Sequence, residues 1–292
     1  MLLVRTPTVL SFCTVLLCLG CSTLNTDNVS TENIKIIGHG GAGFQSPRNE
    51  LPHNSMESIK QAVEFYGIEG VEVDVQLSKS GNLWMYHDET LETQTRCSGC
   101  IIQKTDTELA DCAFKNDVQV NVLRGNISLA SLGRLLQRTE EYQEKPYLFL
   151  DVRTVSPCSG PSRDSVLNAL ADELTQAYMR YNNHEKFYLT IRDRGLINVL
   201  LERGSPYKIL LEAPYNEAGF NYVKENNLAG MILKNPETTG ENVKELQSRG
   251  FEVCLYNIKV QTGVVSAVNK GPDFIMTDNI PLTLNTLKAA RK

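Results

Sequence analysis

The 292-residue sequence predicts an α/β protein folded as a TIM-like (β/α)8 barrel with an insertion after the third strand. Three features point to that fold. Beyond residue 33, short apolar runs rich in Val, Ile, Leu, Tyr and Phe alternate with amphipathic stretches, the order expected of strand–helix units around a parallel sheet. The runs show no sustained polar alternation, which is how strands covered on both faces read. The repeats number about eight, within a length close to the roughly 250 residues such barrels use, and this favours closure over an open sheet. Gly38-His39-Gly40-Gly41 does not have the spacing of a dinucleotide fingerprint.

The chain begins with a separate object. Arg5 leads into the apolar stretch from Val9 to Gly20, followed by Cys21. That run is too short to cross a bilayer comfortably and fits the core of a secretory signal. Gly20-Cys21 resembles the end of a bacterial lipobox, whose cysteine is acylated and becomes the mature N-terminus. Residues 1–20 are therefore expected to be a lipoprotein-type signal peptide, with Cys21 lipidated and 21–33 a Ser-, Thr- and Asn-rich tether. The barrel would occupy 34–292, exported and held to a membrane on its periplasmic or cell-surface side. An ordinary signal peptide cut nearby, or an uncleaved anchor, is the alternative. Export implies oxidising surroundings, so Cys97, Cys100 and Cys112 are candidates for a disulfide. A zinc site built from the same three lacks an evident fourth ligand. Cys254 reads as core.

The strand candidates, in order, are Ile34–Gly38, Val71–Leu77, Leu83–Tyr86, Pro146–Leu150, Phe187–Ile191, Lys208–Leu211, Gly230–Leu233, Phe251–Tyr256 and Phe274–Met276. Helical patterns cover Ser55–Phe65, Leu129–Tyr142, Asp164–Tyr181, Leu196–Arg203, Glu217–Asn226, Glu241–Arg249, Thr262–Asn269 and a last stretch from about Leu282. In the first, Ile59, Ala62 and Val63 share a face, and Asn54 or Ser55 can cap it. Nine strand candidates compete for eight places, so one lies outside the barrel. Only Ser78-Lys79-Ser80-Gly81-Asn82 joins the second to the third, too short for a crossover helix. A hairpin is expected there, with His87 and Asp88 opposite Val75 and Asp74. Residues from about 89 to 128 then form an insertion, part structured and part lid.

Polar residues interrupt the strands at one end. His39 follows Ile36-Ile37-Gly38, Glu72 and Asp74 alternate on one side of theirs, and His87-Asp88, Asp151, Arg153, Arg192 and Lys234 stand at or beyond strand ends. In a barrel this is the rim where active sites are built. Two carboxylates at i and i+2 of a buried strand would cost several kcal/mol each if left unpaired. A divalent cation relieves that cost, Asp151 can complete the ligand set, and oxygen-only ligation suits Mg²⁺ or Ca²⁺. The net charge of −5 excludes a global basic field for nucleic acid. An anionic substrate therefore needs such a cation or local positive charge. Two histidines beside it fit a base for the attacking oxygen and an acid for the leaving alkoxide. His53 and His184 lie in polar stretches and are expected to face solvent.

The order of these pieces resembles the glycerophosphodiester phosphodiesterase family. That family's series is His-Arg-Gly, Pro-Glu-Asn-Thr, Glu-x-Asp, Thr-Lys-Asp-Gly, His-Asp, Glu-x-Lys and Thr-Asp-x-Pro. Here it reads His39-Gly40-Gly41, Pro52-His53-Asn54-Ser55, Glu72-Val73-Asp74, Ser78-Lys79-Ser80-Gly81, His87-Asp88, Asp151-Val152-Arg153 and Thr277-Asp278-Asn279-Ile280-Pro281. The resemblance implies a metal held by Glu72, Asp74 and Asp151, with His39 and His87 as the acid–base pair. It implies hydrolysis of a glycerophosphodiester to an alcohol and glycerol 3-phosphate. A lysophospholipase D-like or other lipid-headgroup diesterase, or a non-catalytic binding lipoprotein, is the alternative. The family arginine after the first histidine is Gly40 here, Glu-x-Lys has become Asp151-x-Arg153, and a late Trp-containing strand reads Leu255-Tyr256-Asn257. Either Arg153, Arg192 or Lys234 then holds the phosphate, with Asn54 among the substrate contacts, or the substrate has changed.

Overall fold

The chain enters through β1 (Lys35–Gly38), passes α1 (Met56–Lys60) with its π-type continuation Gln61–Phe65, and returns as β2 (Gly70–Leu77). β3 (Leu83–Met85), α2 (Asp106–Ala110), β4 (Ala130–Ser131) and α3 (Leu132–Thr139) precede β5 (Tyr147–Val152). Regular alternation follows: α4 (Arg163–Tyr181), β6 (Phe187–Ile191), α5 (Arg194–Glu202), β7 (Lys208–Glu212) and α6 (Glu217–Glu225). β8 (Gly230–Lys234), α7 (Gly240–Ser248), β9 (Glu252–Ile258), α8 (Gln261–Lys270), β10 (Phe274–Thr277) and α9 (Ile280–Ala290) complete it. This computed structural model describes residues 33–44, 51–115 and 127–290. The expected signal peptide, Cys21 and nearly all of the tether lie outside the described residues.

Eight parallel strands close in the order β1, β2, β5, β6, β7, β8, β9, β10, with β10 paired back to β1. The surplus candidate is β3. It pairs antiparallel with the end of β2, on the side β1 has vacated, and carries β4 on its outer edge. The hairpin register differs from expectation by two residues: Val75 faces Met85, and Tyr86 N donates to Asp74 O at 3.0 Å. The turn closes where Ser78 N meets Asn82 O at 2.8 Å, so pairing starts at Leu77 and Leu83. A shift of two keeps every side chain on its expected face.

Local signals explain the elements. In α4, Ser162 accepts from Ser165 N, apolar residues such as Leu167, Leu170, Ala171 and Leu174 recur on the buried face, and Asn182 at φ 45° ends the helix. Three apolar clusters result. The largest lies between barrel and helices and contains Val73, Leu150, Leu189 and Leu233. A second fills the barrel, where the Phe149 ring stacks 4.6 Å from Tyr188 with Ile37, Cys254 and Phe274 around it. Truncating Phe149 to Ala would cost about 3–5 kcal/mol. The third belongs to the segment between β3 and β4, with Trp84, Tyr86, Leu91, Ile101, Leu109 and Phe114. Disulfides Cys97–Cys112 and Cys100–Cys158 staple that segment, the second tying it to the loop after β5. These bonds rule out the zinc alternative. Cys254 is free and buried, as its apolar setting implied.

Candidate active site

Register builds the acidic part of the site. β2 and β5 run parallel with Asp74 opposite Asp151 and Glu72 opposite Phe149. Asp74 and Asp151 are therefore neighbours on the inner face, and Glu72 lies two residues deeper on the same side. One oxygen from each of the three comes within 4.8 Å of the others. Arg153, two residues beyond Asp151, folds over them. Its Nε donates to Asp74 Oδ1 at 2.8 Å, and its Nη2 bonds that oxygen and lies 3.0 Å from Asp151 Oδ2. Asn54, held at φ 61°, donates to Asp74 Oδ2 at 2.8 Å and accepts from Asp74 N at 3.0 Å. Its amide is buried and bonds Asp74 through both its nitrogen and its oxygen. Ser55, not Asn54, caps α1 by accepting from Ser58 N.

Charge in this cluster does not balance. Burial pushes the Asp74 carboxyl up, but the Arg153 guanidinium, His87 and the Asn54 amide outweigh it and hold the pKa below its ordinary value. Glu72 goes the other way, raised by burial first and then by Asp74 and Asp151. Asp151 is pushed up to about 8 by burial, against the pull of Arg153. Among the described residues, buried Glu72 Oε1 has no hydrogen-bond partner. With one guanidinium serving three carboxyls, Glu72 and Asp151 thus bind their protons more tightly than ordinary carboxyls unless more positive charge enters, while Asp74 stays ionised beside Arg153. An all-oxygen donor set with an unpartnered buried oxygen fits Mg²⁺ or Ca²⁺.

The histidines flank this cluster. Gly38 pairs with Thr277, so the next residues of β1 and β10 lie side by side, and His39 Nδ1 meets Asp278 Oδ1 at 2.8 Å. The other ring nitrogen, Nε2, turns toward Glu72 Oε2 at 3.9 Å. Gly40 N donates to that same Oε2 at 2.8 Å. Only glycine suits this position: φ is +58°, and a Cβ would stand 2.6 Å from the Phe44 ring and 2.8 Å from His53 Cβ. His87 Nδ1 meets Asp88 Oδ1 at 2.7 Å, while Gln76 Nε2 donates to the carbonyls of Tyr86 and Asp88 at 2.7 and 2.9 Å. Burial would depress the His87 pKa, but the Asp88 bond and the Asp74 charge outweigh it and raise the pKa.

Phe44 sits between the two histidines, its ring 4.3 Å from that of His39 and 4.8 Å from that of His87. It also stacks on His53 at 3.9 Å. His53 was expected in solvent. Instead it turns into the site, because Asn54 adopts its left-handed conformation to reach Asp74. Burial drives its pKa down to about 4, so the ring is neutral at ordinary pH. His184 is exposed, as expected, and rests on Tyr178.

Arg192 and Lys234 occupy another sector of the rim. Arg192 pairs with Glu212, which also accepts from Tyr256 Oη at 3.2 Å, and Lys234 lies 3.3 Å from Glu237. With Tyr215 they line a cleft of about 430 Å³. Of the three cations considered for phosphate, Arg153 alone touches the acidic cluster. Asp278 stood in the sequence only as part of the Thr277–Pro281 motif, without a role, and Gln94, Phe44 and Glu212 were not singled out. Strand parity contained a signal for Glu212, two residues after inward Leu210, and for Asp278 beside His39. Nothing in the sequence pointed to Gln94 or Phe44, because both stand on irregular segments.

Comparison with known proteins adds an independent finding. The model of the glycerophosphoryl diester phosphodiesterase family matches residues 39–282. A Bacillus subtilis protein, YqiK, is 22% identical over 252 residues, which cover 84% of this chain and 94% of that one. A Caldanaerobacter subterraneus glycerophosphodiester phosphodiesterase is 35% identical over 74 residues, 25% of this chain and 28% of that one. Among solved structures, a Parabacteroides distasonis glycerophosphodiester phosphodiesterase superposes with TM-score 0.70 at 19% identity, covering 89% of this chain and 97% of that one. An Oleispira antarctica phosphodiesterase in complex with the product sn-glycerol-3-phosphate gives 0.70 at 16% identity, covering 87% and 96%.

Proposed function

The chain belongs to the glycerophosphoryl diester phosphodiesterase family, and from that premise we propose that it hydrolyses glycerophosphodiesters to an alcohol and glycerol 3-phosphate, with a divalent cation and two histidines. One observation carries the proposal. Two imidazoles, each bonded through Nδ1 to an aspartate, flank a cluster of three carboxyl groups at the carboxyl-terminal mouth of a parallel barrel. The product bound to the Oleispira protein of the same fold supports the glycerol 3-phosphate side of the substrate.

Glu72, Asp74 and Asp151 would hold the cation. When bound, it supplies the positive potential that polarises a phosphoryl oxygen. Arg153 lies over the same carboxylates and can turn the N–H edge at Nη1 to a non-bridging oxygen. The aspartates hold Nδ1 of each ring and leave Nε2 for proton transfer. One histidine takes the proton of the attacking oxygen at Nε2, and the other delivers a proton from Nε2 to the leaving alkoxide. Arg192 and Lys234, in the neighbouring sector, would meet the headgroup. Phe44 packs between the two rings and stacks on the neutral His53.

Two disulfides support folding in an oxidising compartment. They agree with export, for which residues 1–20 would be the signal, and the lipid anchor at Cys21 rests on the sequence alone. The test is a panel of glycerophosphodiesters incubated with purified protein, with and without chelator, and the product identified. Chelator-sensitive release of glycerol 3-phosphate is expected. Chelator-resistant turnover, or release of a different phosphate ester, would exclude the reading.

A further inference from the structure

The His87–Asp88 pair lies just beyond β3, and what steadies it comes from the insertion. Gln94 follows the short helical turn Leu91–Thr93. Its carbonyl accepts from Lys115 N at 2.8 Å, and the next residue, Thr95, bridges Phe114 and donates to Leu91 O at 2.7 Å. The Cys97–Cys112 bond closes this unit, with both cysteines against Thr95 Oγ1. From this base the Gln94 amide nitrogen reaches Asp88 Oδ2 at 2.6 Å and His53 Nε2 at 2.8 Å. An ionised carboxylate only accepts, so the amide presents its NH₂ to Asp88. The second hydrogen then points at His53 Nε2, which must accept it and leave its own proton on Nδ1.

We propose that Gln94 is a positioning residue for the reaction: it fixes the Asp88 carboxylate that orients His87, and it pins His53 in the Nδ1–H tautomer. The insertion thereby completes the acid–base half of the site. The terminal torsion of an aspartate is soft, so Asp88, bonded to His87 through one oxygen, needs a contact on the other to hold the ring's direction. Gln94 supplies it. The role in catalysis rests on the assignment of His87 to proton transfer; the tautomer does not.

Two variants separate positioning from simple attachment of the insertion: Gln94→Ala, and Gln94→Met, which keeps the bulk and removes the donor. Long-range ¹H–¹⁵N spectra of the resting protein read the His53 tautomer without any substrate. The wild-type ring should show its proton on Nδ1, and both variants should shift toward Nε2–H. In turnover, kcat should fall about tenfold or more, with KM within about twofold. Gln94→Met should keep the thermal midpoint of the parent. Wild-type His53 with its proton on Nε2 would overturn the proposal. So would a Gln94→Met protein with unchanged tautomer and kcat. A lowered midpoint with an unchanged tautomer would reduce Gln94 to a fastening and overturn it equally. Absence of turnover on every diester would instead count against the proposed function, since the spectra would still report on Gln94.

Discussion

His39 and His87 carry the same partner on the same ring atom, yet they are held in opposite ways. Asp278, 2% exposed, joins His39 across 239 residues at the seam where β10 closes on β1. Asp88 is adjacent to His87 in sequence, and the pair is more open, at 36% and 18% exposed for ring and carboxylate. The first pair is a product of barrel closure and is lost only when the barrel opens. The second stands on a hairpin and an insertion with a small apolar core and two disulfides, a unit that can loosen by itself. One site thus draws one histidine–aspartate pair from the most cooperative part of the fold and the other from a separable part.

The largest expected effect tests whether both halves are needed. His39→Ala and His87→Ala should each lower kcat by about 10²–10⁴, with the circular dichroism of the parent retained. Equal loss at both positions keeps the symmetry, and full activity in either removes that residue from the chemistry. A smaller effect separates the halves. Converting Cys97 and Cys112 to Ser should remove about 3 kcal/mol of constraint, as expected for a loop of that size. Hydrogen exchange should then rise across the insertion while β1 and β10 stay protected, and kcat should drop. Uniform loosening of the barrel would show that the insertion is not separable.

The smallest effect concerns His53. Its pKa of about 4 in the folded chain lies below the ordinary 6.5. Between those values the unfolded chain takes up a proton that the folded chain refuses, so stability falls as pH drops from 6.5 toward 4. The contribution is at most about 3 kcal/mol, less where water reaches the ring. In His53→Asn, urea midpoints measured from pH 4 to 7 should lose that slope. An identical slope in both proteins would place the ring in water.

Much of this was legible because a barrel converts sequence order into position. Each strand end lies on the rim, so His39, Asp151, Arg153 and the Glu72–Asp74 alternation announced themselves as polar residues at the ends of apolar runs. The surplus ninth strand was legible too, since a five-residue connection cannot carry a helix. What escaped was long-range or irregular. The Cys100–Cys158 pairing spans 58 residues and reflects how the insertion folds back, which no local pattern encodes. His53 read as a surface residue because its burial comes from the left-handed turn at Asn54 and from Phe44.

The most direct measurement is calorimetric titration of the metal-free protein with Mg²⁺ or Ca²⁺ at pH 7, repeated in buffers of different ionisation enthalpy. Glu72 and Asp151 both hold protons more tightly than ordinary carboxyls, Asp151 up to about 8. One cation should therefore bind per chain and release at least one proton, and Asp151→Asn should abolish the binding. No saturable binding, or binding that survives Asp151→Asn, would contradict a cation held by these three acids.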